Sequence, residues 1–302
     1  MSQQVQVDVE GRQLKLSNLD KVLYPASGFT KAQVIDYYTR VAPALLPHMA
    51  GRPLTLKRYP DGVESPYFYE KKCPSHRPPW FRTAPVWSGR NREEINYCVV
   101  DDLPSLIWVA NMASLELHIS LARAEDIHQP TMMVFDLDPG PPAAIRQCCE
   151  VGLELRQLFA ELKLESFPKT SGSKGLQVYV PLNTRVTYEE TKPFALAVAQ
   201  QMERKHPDLV LSKMTKELRK GKVFVDWSQN DDHKTTVSVY SLRARERPTV
   251  STPVTWAEVE AHHRGKLKEL AFTSEQVLDR LERDGDLFAP VLKLKQKLPR
   301  LD

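Results

Sequence analysis

Met132-Met133-Val134-Phe135-Asp136-Leu137-Asp138-Pro139-Gly140 opens on four apolar residues and closes on a turn dipeptide, the pattern of a buried strand. Side chains alternate across a strand, so Asp136 and Asp138 leave on one face, Phe135 and Leu137 on the other. Two carboxylates that close repel each other unless a cation lies between them or a proton neutralises one. The stretch therefore reads as a metal site at the end of a core strand. Asp226 ends a second apolar strand, Val223-Phe224-Val225-Asp226-Trp227, and offers a third carboxylate. All-oxygen ligands favour Mg²⁺ or Mn²⁺ over zinc, and paired carboxylates are what two-metal catalysis requires. The plainer reading is that Asp226 caps a turn and Asp138 only precedes one.

The rest of the chain sets the frame. With 302 residues, 41% hydrophobic and 26% charged, it suits two lobes of an ordinary globular protein. A net charge of +4 permits a polyanionic partner without demanding one. Neither a signal peptide nor a membrane-spanning run is evident, so a cytoplasmic setting is expected. Cys73, Cys98, Cys148 and Cys149 form no C-x-x-C pair, and no disulfide is expected. Cys73 with His76 is half a zinc signature that lacks its other half.

In order, residues 5–16 read as a hairpin turning at Glu10-Gly11, and Thr30 caps a helix carrying Val34, Tyr37, Tyr38, Val41 and Leu45 inward. Residues 54–60 form a strand, and 60–92 a Pro-rich, aromatic and basic stretch. Tyr97 to Val100 is a strand, and Leu106 to Leu115 a helix leading into Glu116-Leu117-His118. Pro141 and Pro142 suit the start of a helix that runs to about Lys163, with Ile145, Cys149, Leu153, Leu155, Leu158 and Leu162 inward. Leu176 to Leu182, Val223 to Trp227 and Thr236 to Tyr240 read as strands. Thr187/Glu190, Thr255/Glu258 and Thr273/Gln276 cap three helices, and the basic tail from Lys293 to Arg300 frays. Irregular alternation of strands and helices implies an α+β fold with mixed or antiparallel sheets, breaking near 129–142.

Three further groups could carry chemistry. Ser171-Gly172-Ser173-Lys174-Gly175 could cradle an anion, although it is no Walker loop and suits an ordinary hairpin equally well. The aromatic and basic residues of 67–92 could stack bases and hold phosphates, or be a solvated loop with aromatics tucked inward. Lys216, Arg219, Lys220 and Lys222 precede the Asp226 strand. His118, between Leu117 and Ile119, is by default a core histidine.

Together, Asp136-Leu137-Asp138, the Ser171–Gly175 loop and Asp226 resemble the three motifs of archaeo-eukaryotic primase-type polymerases. Asn18-Leu19-Asp20-Lys21-Val22-Leu23-Tyr24-Pro25, Leu54-Thr55-Leu56-Lys57-Arg58-Tyr59-Pro60, Leu115-Glu116-Leu117-His118, Thr170 to Gly175 and Phe224 to Asn230 narrow the resemblance to the polymerase domain of bacterial DNA ligase D, over about residues 14–288. The resemblance implies a single two-lobed domain with a primase-type core. Its sheets are related to the RNA-recognition fold, its helices lie outside, and a cleft separates the lobes. It implies a nucleotidyltransferase of bacterial non-homologous end joining that adds ribonucleotides, or less readily deoxyribonucleotides, to a primer 3′-hydroxyl at gaps and breaks. Asp136, Asp138 and Asp226 would bind two divalent ions, Mn²⁺ by preference or Mg²⁺. Ser171, Lys174 and Gly175 would hold the triphosphate, with Lys57, His118 and Arg243 completing the nucleotide pocket and His118 and Ser171 sensing the ribose. Lys21 and Lys31 would grip a DNA 5′-phosphate, Phe68 and Tyr69 stack on template bases, Arg90 help bring two ends together, and Arg219 contact DNA. Implied partners are DNA ends and gaps, NTP or dNTP, the Ku protein, and ligase and phosphoesterase domains if the chain is part of a longer polypeptide in the nucleoid. One position departs from the superfamily pattern. Gln177 stands where a histidine is usual, and it can donate a hydrogen bond but cannot be charged.

Three readings of other classes compete. A haloacid-dehalogenase-type phosphatase would need Thr or Val at the position of Gly140, and an Asp-x-Asp glycosyltransferase would take a nucleotide sugar. A module that binds DNA ends without catalysis would bind gaps and extend nothing.

Overall fold

The computed structural model describes residues 4–88 and 92–299. It divides into two compact units: Met1–Glu125 with Thr235–Ser251 and Phe272–Gly285, and Asp126–Lys234 with Thr252–Ala271 and Asp286–Asp302.

The first unit is built on a six-stranded sheet in the order Thr236–Val237, Ser114–Ile119, Leu54–Arg58, Glu93–Cys98, Thr83–Ser88, with Phe68–Glu70 pairing Leu54–Arg58. Every named pair in it is antiparallel. The helix Lys31–Met49 begins at a Thr30–Gln33 capping box and buries Val34, Tyr37, Tyr38, Val41 and Leu45, the expected face. Its two tyrosines end on carbonyls, Tyr37 Oη donating to Tyr240 O and Tyr38 Oη to Leu115 O, both at 2.8 Å.

The second unit carries a five-stranded sheet in the order Phe167–Thr170, Leu176–Pro181, Met132–Pro139, Val223–Asp226, Val210–Leu211, antiparallel except for the last pair. Met132–Pro139 is thus the central strand, and Met133, Val134, Phe135 and Leu137 are all fully buried on it. The Asn230 amide accepts from Val134 N at 2.9 Å and donates to Val134 O at 2.7 Å. It stands in for a strand residue after the neighbouring chain has turned away at Asp226, satisfying both backbone groups of Val134.

Several sequence expectations are corrected. The helix predicted to reach Leu115 spans Leu103–Asn111, and Leu115 to His118 belong to the strand Ser114–Ile119. Two strands, Phe68–Glu70 and Thr83–Ser88, cross the Pro-rich, aromatic and basic stretch, for which no strand was expected. The helix after the central strand is Ile145–Glu161, with Pro141 and Pro142 ahead of it. Its buried face holds Cys148, Val151 and Phe159 rather than Leu153, Leu158 and Leu162. Cys73 and Cys98 form a disulfide, brought together because Cys73 N bonds to Asn96 O beside the Glu93–Cys98 strand. The tail does not fray at Gln296, which bonds to Leu182 O through its backbone N–H and to Pro181 O and Glu165 O through its side chain. Among the described residues, no helix is long and apolar enough to cross a membrane.

Candidate active site

In the second unit Asp136 has Asp226 as its register partner on one side and Gln177 on the other. Direct partners in an antiparallel ladder stand about 4.5–5.5 Å apart at Cβ and share a face, so the two aspartates are neighbours by construction, with the more exposed Asp138 two residues on. Burial, then repulsion from Asp138 and from Asp226, pushes the Asp136 carboxyl up to about 7; the Gln177 hydrogen bond and the Lys169 charge oppose the rise. Asp226 also performs the plainer role, accepting from Ser228 N at 3.0 Å, Ser228 Oγ at 2.6 Å and Gln229 Nε2 at 2.9 Å. Among the described residues, the grouping whose ligand atoms all lie within 4.8 Å of one another is Asp231, Asp232 and His233, a tighter cluster than the three aspartates.

Gln177 is joined to a cation that sequence reasoning missed. Lys169 is fully buried, and its Nζ donates to Gln177 Oε1 at 2.5 Å beside the Tyr179 ring. The glutamine amide therefore links a buried ammonium to Asp136. The charge a histidine would bring at this position is supplied one strand further out.

Ser171–Gly175 connects the antiparallel strands Phe167–Thr170 and Leu176–Pro181, and is an ordinary hairpin loop in that sense. Ser171 Oγ accepts from Ser173 N at 3.2 Å and Gly175 N at 3.1 Å, so those two amides are already committed within the loop. Gly175 packs on the central strand, where a Cβ would overlap the Leu137 carbonyl oxygen between Asp136 and Asp138. Lys174 is exposed, and a cavity of about 410 Å³ beside it is lined by Pro139, Pro141, Gly172, His262 and Lys268. Arg219 lays its guanidinium 4.0 Å from the centre of the Phe224 ring and donates to Met214 O. A Cβ on Gly140 would overlap the Arg219 backbone, which leaves no room for the Thr or Val of the phosphatase motif.

In the first unit, the buried Glu116 gathers Lys57, His118 and Arg243. Its Oε1 lies 3.5 Å from Lys57 Nζ and accepts from Tyr59 Oη at 3.3 Å and Ala244 N at 3.2 Å. Its Oε2 lies 3.0 Å from His118 Nε2 and 3.4 Å from Arg243 Nε. Burial alone would raise the Glu116 carboxyl; the His118 hydrogen bond and the Arg243 and Lys57 charges outweigh it and hold the group well below the usual carboxylate range. His118 is lowered by burial against the opposing pull of Glu116, as is Lys57. The Lys57 ammonium also sits 4.1 Å from the Tyr67 ring centre, 5.3 Å from Tyr59 and 5.4 Å from Tyr69, within cation–π range of all three. Tyr69 touches the His118 ring edge-on and pairs with Lys57 in register. Phe68, on the other face of that strand, lies under Arg58, and both Phe68 and Tyr69 are exposed.

Lys21 is half-buried and paired with Asp61 at 2.6 Å. Lys31 is 5% exposed, donates to Ser17 O at 2.6 Å, and is lowered to about 8 by burial and by the charges of Lys21 and Arg58. Arg90 lies outside the described residues.

A sheet whose central strand presents paired aspartates, with a basic loop hairpin alongside, is the framework of a primase-type nucleotidyltransferase. Residues 30–288 match the family model described as LigD, primase-polymerase domain, and the chain belongs to that family. It is 46% identical over 280 residues to the multifunctional non-homologous end joining protein LigD of Mycolicibacterium smegmatis, covering 92% of this chain and 36% of that one. It is 30% identical over 287 residues to the bifunctional non-homologous end joining protein LigD of Bacillus subtilis, covering 95% and 45%. The chain thus spans less than half the length of these relatives. The fold superposes on the polymerase domain from Mycobacterium tuberculosis ligase D in complex with DNA with a TM-score of 0.86 at 43% identity, covering 92% of this chain and 98% of that one.

Proposed function

We propose that this chain adds nucleotides to primer 3′-hydroxyls at DNA gaps and breaks, as the polymerase part of an end-joining ligase. The observation that carries the reading is the cross-strand pairing of Asp136 with Asp226 beside Asp138 in a chain of the LigD primase-polymerase family.

The family implies divalent metal use, and the donor set fits it. Three hard carboxylate ligands share one sheet face, and Asp136 is driven toward proton uptake by burial and then by its acidic neighbours, a repulsion that a cation removes. Asp136, Asp138 and Asp226 would hold two such ions, Mn²⁺ by preference, which would supply activation of the primer hydroxyl and neutralisation of charge on the transferring phosphoryl group. Gln177, itself anchored by Lys169, orients the Asp136 carboxylate. Ser228 and Gln229 fix that of Asp226.

Ser171, Lys174 and Gly175 bind the triphosphate, and Lys57, His118 and Arg243 the nucleotide, with NTPs preferred. Lys21 and Lys31 hold the 5′-phosphate of the downstream strand, Phe68 and Tyr69 stack on template bases, and Arg219 and Arg90 contact DNA. The two units act as a single polymerase domain. In the longer polypeptide, ligase and phosphoesterase domains, Ku and a place at the nucleoid would follow.

Primer extension on a gapped duplex with Mn²⁺ tests the reading. Extension is expected for the unmutated protein, and its loss for Asp136→Ala and Asp226→Ala with DNA binding retained. Either variant extending at the wild-type rate would show that the metal assignment is wrong.

A further inference from the structure

Four side chains stand in one rung across the sheet of the second unit: Lys169 is the register partner of Gln177, Gln177 of Asp136, and Asp136 of Asp226. Direct partners in an antiparallel ladder share a face, so an ammonium, an amide and two carboxylates follow one another along it. Phe167–Thr170 is the outermost strand of that sheet, yet Lys169 is fully buried. Residues 252–254 run along the edge and close it, Thr170 N donating to Thr252 O at 2.8 Å and Val254 N to Pro168 O at 3.1 Å. A lysine is almost never so buried unless its charge is matched, and this charge acts along the rung on Asp136.

The amide between the two charges has one workable orientation. An ammonium donates and never accepts, so the Gln177 oxygen faces Lys169, whose Nζ lies 2.5 Å from it. The amide nitrogen is left to donate to Asp136, a hydrogen bond that favours the ionised carboxylate. Turned over, the amide would set its nitrogen against the ammonium and its oxygen against the carboxylate, two repulsions in a buried site. Tyr179 Oη reaches the same amide oxygen only at 3.4 Å, so the choice rests with Lys169. Resting on the metal-binding role proposed above for Asp136, we infer that Lys169 is a positioning residue for the metal site. With Gln177 it forms a two-residue replacement for the histidine that the superfamily usually carries at position 177, the amide supplying the donor and the lysine the charge. Lys169 acts through Gln177 on the orientation of the Asp136 carboxylate.

Mn²⁺ titrated calorimetrically into the nucleotide-free chain tests this without any turnover. Lys169→Met keeps the length of the side chain and removes its charge. Losing a partner behind a metal ligand typically costs about 10–100-fold in affinity, and Mn²⁺ binding should weaken by about tenfold. A role confined to packing would move the urea midpoint and leave Mn²⁺ affinity at the parental value. A cation that merely repelled the metal would, once removed, let Mn²⁺ bind more tightly. Either result overturns the inference and leaves the metal assignment standing, whereas a parent that binds no Mn²⁺ overturns both. Lys169→Met combined with Gln177→His returns a cationic side chain to the position beside Asp136 and should bring the affinity back to within about threefold of the parent. No recovery in that double variant overturns the pairing. Should Lys169→Met not fold, the unmutated chain decides by nitrogen-15 NMR, with the Gln177 side-chain amide and the Lys169 ammonium both expected to shift as Mg²⁺ fills the site. A shift confined to Gln177, or none at all, overturns the link.

Discussion

Replacing Asp136 by asparagine should make the metal-free protein more stable at pH 8 and leave it nearly unchanged at pH 4. The Asp136 carboxyl, ordinarily near 3.8, is raised to about 7, first by burial and then by Asp138 and Asp226. Between those limits the native state keeps a proton that the unfolded chain has released, so stability falls as pH rises through that window and is level on either side. About three pKa units correspond to roughly 4 kcal/mol. Asp138, one source of the repulsion, is open to water, and solvent screening brings the expected loss to about 2–4 kcal/mol. Asparagine imitates the protonated acid and still meets Gln177, so the variant should lack this decline. Urea melts in the presence of a chelator, taken from pH 4 to 8 on both proteins, measure the difference directly and cancel the other titrating groups. Adding Mn²⁺ should reverse the order at pH 8, stabilising the parent and not the variant. Parallel stability curves for the two proteins across the whole range would refute the claim that the three carboxylates strain one another.

Gly175→Ala pushes a Cβ into the Leu137 carbonyl between the two aspartates. It should cost about 1–3 kcal/mol of stability and more than tenfold in nucleotide addition; a variant with parental Tm and rate would show that this packing does not position the site. Lys31 is charged below about 8 and loses its proton as pH rises past it. Preference for 5′-phosphorylated over unphosphorylated gaps should therefore weaken between pH 7 and 9, and Lys31→Met should show little preference at any pH. A parental preference that stays flat over that range would rule Lys31 out as the phosphate contact.

The features legible in the sequence were those written in short spacing. Thr30–Gln33, Thr187–Glu190, Thr255–Glu258 and Thr273–Gln276 are all capping boxes in the structure. The central strand, its two aspartates and the partner strand ending at Asp226 were equally plain, because apolar runs closed by a carboxylate are a local signal. The helix predicted to reach Leu115 failed where an apolar run changes period, since Leu115, Leu117 and Ile119 alternate as a strand while Leu106 to Ala110 repeat as a helix. Glu116 escaped notice because its partners come from residues 57, 59, 118, 243 and 244, which only the tertiary fold assembles. Lys169 was passed over for a related reason: a lone lysine near a strand end reads as solvated, and its burial depends on Gln177 and Tyr179 arriving from the next strand. The Cys73–Cys98 disulfide bridges a separation of 25 residues that carries no spacing motif.

The division of the chain has a bearing on how the protein is made. The first unit is drawn from three separate segments, the last ending at Gly285. During synthesis its first 125 residues leave the ribosome without the strand Thr236–Val237 that covers Ser114–Ile119 and without the helix Ser274–Asp284. The edge carrying Glu116 and His118 therefore stays open to pairing with other chains while more than a hundred further residues are added. Neither unit can be cut out as one continuous fragment. Circular permutants that open the chain at Glu125 would have to preserve every later crossing to fold at all.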